Sequence, residues 1–149
     1  MNIRPSSESD WTAWLQMRYA LWPQDALNEH ESEMRGWLER ADTAVFIATR
    51  PDGSVCGFCE VGSRPYADGC RSSPVGYVEG WYVEPDARQQ GYGRGLLNAA
   101  EAWARERGYE EMASDALLDN AVSHAAHAGC WYEEVGRVVQ FRKPLSSDK

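Results

Sequence analysis

The residues best suited to chemistry lie between Val75 and Asp115. An apolar run, Val75 to Val83, leads into Arg88-Gln89-Gln90-Gly91-Tyr92-Gly93-Arg94-Gly95. Leu96, Leu97, Ala99, Ala100, Trp103 and Ala104 then recur at helical spacing. A strand, a glycine-rich turn and a helix start make an anion site. The first amides of a helix lack intrahelical partners and sit at the positive end of its dipole. Glycines let a phosphate approach the backbone closely. No Lys-Ser/Thr follows the last glycine, and Gly91 to Gly95 give no G-x-G-x-x-G, so neither the P-loop nor the dinucleotide fingerprint fits. A glycine-rich turn without a ligand is the plain alternative. Two carboxylates stand out nearby. Glu79 interrupts an apolar strand, which is costly unless it is paired or faces a polar cleft. Asp115 ends the next strand, where it could instead cap the following helix. For Glu79 the alternative is a salt bridge with an arginine.

Patterning supplies the elements that position these groups. Ile3-Arg4-Pro5 reads as a short strand. Ser9 or Asp10 caps a helix carrying Trp11, Trp14, Leu15, Tyr19 and Trp22, which Pro23 stops. A second helix spans about 28–40, with Met34, Trp37 and Leu38 as its apolar stripe. Strands at 43–49 and 55–64 flank a turn at Pro51-Asp52-Gly53. A polar loop covers 66–74, the long strand 75–83, and the helix after the phosphate turn closes on Arg105, Arg107 and Gly108. A strand at 111–115, a helix from Asp119 or its neighbour through 122–128, and a closing hairpin of 131–135 with 138–142 complete the chain. The order is β-α-α-β-β-β-α-β-α-β-β, an α+β arrangement with helices around a mixed, mostly antiparallel sheet.

The 149 residues are expected to form one domain, 1–149, with 43% hydrophobic and 26% charged residues. A net charge of −8 argues against nucleic acid or an anionic membrane and is compatible with a cationic substrate. No apolar leader or membrane span is visible, so the expected location is cytoplasmic. Cys56 and Cys59 have C-x-x-C spacing but lie within a strand with no second ligand pair. Buried thiols, and no metal, are expected.

Arg88-Gln89-Gln90-Gly91-Tyr92-Gly93, with a strand before and a helix after, resembles the Arg/Gln-x-x-Gly-x-Gly/Ala signature of the GNAT acetyltransferase superfamily. The element order resembles that fold along nearly the whole chain, with about four helices around the sheet. More closely, Leu21-Trp22-Pro23, Cys70 to Pro74, Val78-Glu79-Gly80, Tyr82-Val83, Glu111 to Asp115, Asn120, Ser123, His127 and Phe141-Arg142-Lys143 resemble the aminoglycoside 6′-N-acetyltransferases. The resemblance implies acetyl transfer from acetyl-CoA to the 6′-amine of aminoglycosides, antibiotic resistance and a homodimer. It places Trp22, Tyr66, Glu79 and Asp115 at the drug. It places Trp81, Tyr82, Val83, Arg88, Gln89, Gln90, Gly91, Tyr92, Gly93, Arg94 and Asn120 at acetyl-CoA. Asp115 and Glu79 would hold the ammonium, one of them helping to remove its proton directly or through water, and the amine would attack the thioester directly, leaving the cysteines as spectators. A backbone amide near Val83 would hold the oxyanion. Trp22 could equally be core packing at a helix end.

The chain also departs from the pattern. Trp131-Tyr132 stands where Gly-Phe is usual, and Gly136 where close relatives carry an acidic residue, so either one drug-binding carboxylate is missing or Glu133 or Glu134 stands in for it. His127 stands where the wider family often has a tyrosine acid, and it could equally be solvated or capping. Other readings are an acetyltransferase of polyamines or peptides, and a non-catalytic acetyl-CoA-binding or drug-binding module.

Overall fold

The computed structural model describes residues 2–146. Strand β1 (Asn2–Pro5) leads through a one-turn helix at Glu8–Asp10 into α1 (Trp11–Leu21) and α2 (Leu27–Glu39). Then come β2 (Thr43–Thr49), β3 (Val55–Arg64), β4 (Val75–Val83), α3 (Tyr92–Glu106), β5 (Met112–Ser114) and α4 (Ala121–Gly129). The five strands lie in sequence order in one sheet, antiparallel except for the parallel pair β4–β5. None of the described helices is long and apolar enough to cross a membrane.

Period-two alternation sends neighbouring strand residues to opposite faces. Val45, Ile47 and Phe58 pack against Trp14, Met17 and Met34 of α1 and α2. Cys59, Val61, Ala48 and Val78 pack against Leu96, Leu97 and Ala100 of α3. Cys56 and Cys59 are fully buried, and desolvation pushes both thiols up, as suits inert small hydrophobes.

Several expectations change. Neither Ser9 nor Asp10 caps α1 with its side chain. The Asp10 carboxylate instead accepts from the Ser7 amide at 2.8 Å and pairs with Arg4 at 2.7 Å. Tyr19 and Leu38, assigned to apolar stripes, are 45% and 55% exposed. The strand placed at 111–115 shortens to Met112–Ser114. The closing hairpin is absent, and residues 131–146 form no regular element. Trp131 takes a left-handed φ of +63°, and Val135 turns onto Gly69. A strand exists only through a partner's ladder, and β5 pairs with β4 through just three residues. Val138, Val139 and Phe141 remain exposed despite their β-type sequence.

Candidate active site

The glycine-rich turn before α3 forms where its sequence suggests. After Val83, the Glu84 amide donates to Cys56 O at 2.7 Å, and Arg88 Nε donates back to Val83 O at 2.8 Å. Gln89 and Gly91 take left-handed φ values of +61° and +94°. Gly91 is the N-cap of α3, and its carbonyl accepts from the Gly95 amide at 3.0 Å. The amides of the first helical turn therefore have no intrahelical acceptor. Trp81 braces this start, with Nε1–H donating to Gly93 O at 3.0 Å. Several expected cofactor side chains are otherwise engaged. Tyr92 is buried in the core, Gln90 Nε2 donates to Asp86 O at 3.2 Å, and Arg94 donates to Gly129 O at 2.7 Å. Tyr92 and Gln90 are therefore turned away from the loop's outer face, while Arg88 and Arg94 each keep guanidinium nitrogens free of these bonds.

Beside it the sheet opens. The β4–β5 ladder ends at Val78 opposite Ser114, while β4 stays paired with β3 through Val83. Among the described residues, the segment Glu79–Val83, including Trp81, Tyr82 and Val83, thus has no neighbouring strand on its β5 side. A register shift leaves Glu79 as an extra residue between Val78, opposite Val61, and Gly80, opposite Glu60. Such a bulge re-aims a side chain. His127 of α4 lies at this opening, edge-on to Trp81 at 5.0 Å. Its Nδ1 lies 2.7 Å from Ser123 O and its Nε2 2.8 Å from Ser114 Oγ. A carbonyl oxygen can only accept, so the neutral ring carries its proton on Nδ1 and receives the Ser114 hydroxyl at Nε2. Asn120 caps α4, its side-chain oxygen accepting from the Ser123 amide at 3.1 Å.

The two carboxylates are joined by residues that sequence reasoning missed. Glu79 is held by Arg64 through two bonds of 2.8 and 2.7 Å, the arginine pairing that was its structural alternative. The Arg64 guanidinium stacks 3.5 Å from the Tyr77 ring centre, and Tyr77 Oη–H donates to Asp115 Oδ2 at 2.6 Å. Burial, then the Asp115 bond, pushes the Tyr77 phenol well up, so it stays a donor. Asp115 does not cap α4, which begins at Ala121. Tyr66 stands apart, 69% exposed on its loop, with its hydroxyl donating to Asp68 at 2.9 Å.

Trp22 follows α1 directly and lies over Gly80, where an added Cβ would come within 2.9 Å of the indole. Beneath it Glu60 is 2% exposed and accepts from Trp14 Nε1 at 2.9 Å and Arg18 at 2.6 Å. Burial pushes the Glu60 carboxyl up against the pull of Arg18. The signal for this cluster was present. Glu60 interrupts an apolar strand just as Glu79 does, and Trp14, Arg18 and Trp22 recur at four-residue spacing. Among the described residues no group of three or more His, Cys, Asp or Glu is placed to hold a metal ion.

Residues 10–130 match the family model "Acetyltransferase (GNAT) family". An aminoglycoside N(6')-acetyltransferase type 1 from Klebsiella aerogenes is 47% identical over 146 residues, covering 96% of each chain. Its counterpart from Stenotrophomonas maltophilia is 47% identical over 144 residues, 96% of this chain and 93% of that one. Among solved structures, aminoglycoside antibiotic 6'-N-acetyltransferase AAC(6')-IG from Acinetobacter haemolyticus, apo, superposes with a TM-score of 0.91 at 37% identity, covering 98% of this chain and 100% of that one. AAC(6')-Iy in complex with the bisubstrate analog CoA-S-monomethyl-acetylneamine gives a TM-score of 0.90 at 34% identity, covering 97% and 98%. With a family match over most of its length and near-full-length relatives at this identity, the chain belongs to the acetyltransferase (GNAT) family.

Proposed function

We propose that this chain acetylates the 6′-amine of aminoglycoside antibiotics with acetyl-CoA and so confers resistance to them. The observation that carries the reading is the opening between β4 and β5. It has a phosphate turn at one end and the Glu79–Arg64–Tyr77–Asp115 chain at its mouth. The near-full-length relatives bear the matching name, and one solved relative holds a CoA–acetylneamine analog.

Acetyl-CoA supplies an activated acetyl thioester. The first amides of α3, with Gly91 and Gly93, suit its pyrophosphate, and the free edge of Trp81–Val83 suits its amide arm. Arg88, Gln89, Gln90 and Arg94 shape that turn, Tyr92 anchors it in the core, and Asn120 caps the helix on the far side. Asp115 receives the proton from the acceptor ammonium. Tyr77 occupies Oδ2 and leaves Oδ1 for the substrate. Glu79 shares its charge between Arg64 and a second ammonium, while Trp22 and Tyr66 offer aromatic faces to the sugar rings. No side chain need bond covalently to the acetyl group, and the buried, desolvated thiols of Cys56 and Cys59 are ill suited to try.

The working form is a homodimer in the cytoplasm. Trp131, Val138, Val139, Phe141 and Leu145 are 70 to 93% exposed along one terminal segment, and such apolar surface favours a protein partner. The four free cysteines suit a reducing compartment.

The test is thiol release from acetyl-CoA with kanamycin and with an analogue bearing a hydroxyl in place of the 6′-amine. Release with the amine alone supports the reaction and its position. Equal release with both moves the reaction to another amine of the drug. Release with polyamines or peptides but not with either drug replaces the acceptor. Binding of acetyl-CoA with no turnover on any amine leaves a non-catalytic module.

A further inference from the structure

We infer that Arg18, His30 and Gly80 determine how tightly the acceptor is held, by fixing the Trp22 indole against β4 where that strand parts from β5. The inference rests on the acceptor role proposed for Trp22. It concerns residues that touch neither substrate and act through that indole.

Arg18 is 3% exposed and His30 is fully buried. Arg18 Nε donates to His30 Nδ1 at 3.3 Å, so the neutral imidazole carries its proton on Nε2. That Nε2–H donates to the Trp22 carbonyl at 3.0 Å. The His30 ring also lies nearly parallel to the indole, at 16° and 6.3 Å between centres. The Arg18 guanidinium sits 4.8 Å from the indole centre, and its other nitrogens reach Glu60 of β3 and Glu33 of α2. A single side-chain chain therefore ties β3, α1 and α2 to the turn that carries Trp22. Gly80 completes the seat. A Cβ there would stand 2.9 Å from Trp22 Cη2 and 3.2 Å from Phe58 Cε2, so a side chain would lift the indole from the strand.

Stability is a weak reason for such a cluster. A buried ion pair gains little over apolar residues of equal volume, because both charges lose their water. What it does supply is geometry. The Trp22 carbonyl, ring face and ring edge are each held by a different element. An aromatic plate fixed in this way binds with little loss of side-chain freedom.

The experiment compares His30→Leu, His30→Gln, Gly80→Ala and Trp22→Ala with the unmodified chain, reading kcat and the KM of each substrate. Glutamine can accept from Arg18 through its oxygen and donate to the Trp22 carbonyl through its nitrogen; leucine can do neither. His30→Leu and Gly80→Ala should raise the drug KM about tenfold, with acetyl-CoA KM and kcat held within about twofold. His30→Gln should stay within about twofold of the original drug KM. The inference is overturned if His30→Leu and Gly80→Ala leave the drug KM unchanged, or if both substrates' KM values rise in step. Should His30→Leu not fold, Gly80→Ala decides alone. An unchanged drug KM in Trp22→Ala removes that indole from the acceptor site, and this inference with it, while acetyl transfer to the drug still stands. Absence of thiol release by the unmodified chain is the separate failure of the proposed function.

Discussion

Two carboxylate–arginine pairs stand on adjacent strands of this sheet, and they do opposite things. Glu60 of β3 and Arg18 are sealed beneath Trp22, with side chains 3% and 4% exposed. Glu79 of β4 and Arg64 form as close a pair at the mouth of the opening, 28% and 42% exposed. The chemistry is the same and the water content differs. A desolvated pair cannot exchange partners without stranding a charge, so it fixes what rests on it. A solvated pair is held weakly and can trade one partner for a cationic ligand. The β4 bulge creates the contrast, re-aiming Glu79 while Glu60 keeps to the α1 face.

The contrast breaks most severely at the buried pair. Glu60→Ala leaves Arg18 charged and without its buried partner, and should cost about 3–5 kcal/mol in denaturant unfolding. Replacing Glu60 and Arg18 together by methionine should recover most of that stability while leaving Trp22 unseated. If the single change costs no more than a surface substitution, the pair does not fix the α1–β3 packing.

At the open site the largest effect falls on rate. Asp115→Asn keeps the shape and a hydrogen bond from Tyr77 but loses the proposed proton acceptor. It should lower kcat/KM about 100-fold, about 2.7 kcal/mol, with little change in melting temperature. Tyr77→Phe should lose only a few-fold, since it removes a bond that positions Asp115. Should the two variants fall equally, Asp115 acts through its shape rather than its basicity.

Much of this was legible in sequence, and the gaps have a physical pattern. Strands β2, β3 and β4 fall at the boundaries that alternation and turn residues marked, because both of their ladder partners lie within the chain. Gly91 was readable because only a glycine tolerates its backbone angle comfortably at the start of a helix. The terminal hairpin was misread because alternation reports a β-type sequence, not the presence of a neighbouring strand. Glu79 and Asp115 were visible as charges in apolar strands. Arg64 and Tyr77 were not, since the bulge and the parallel pairing of β4 with β5 are set by tertiary contacts. Glu60 is an equally visible charge in an apolar strand, but no motif surrounds it to mark a role.

A third pair lies between the extremes. Asp10 has a side chain only 4% exposed, whereas that of Arg4 is 34% exposed. The bond from Arg4 holds the Asp10 carboxyl below its ordinary range, with the Ser7 amide adding to the effect. A depressed carboxylate stabilises the fold fully above its unfolded value near 4, and that contribution is lost as pH falls through the folded value. Asp10→Asn should therefore cost about 1.5–3 kcal/mol at pH 7 and progressively less as the medium is acidified below about pH 4. A penalty that persists unchanged in acid would show that shape, not charge, ties β1 to α1.

The smallest stability effect belongs to Arg64, and it is the sharpest test of the contrast. The pair with Glu79 is partly solvated, so Arg64→Ala should change stability by no more than about 1 kcal/mol, a melting shift of a few degrees. Its effect on the drug should run the other way from that of a damaged site. Freed from the guanidinium, Glu79 has its whole charge available to an ammonium. The drug KM should then fall a few-fold at low salt, and the gain should shrink as salt screens the new contact. Arg64→Lys keeps a charge but loses the two-pronged geometry, and should fall between the two. A rise in drug KM on removing Arg64 would mean that this arginine orients Glu79 for the acceptor. The open pair would then be as fixed as the buried one, and the difference in hydration would not be what separates their roles.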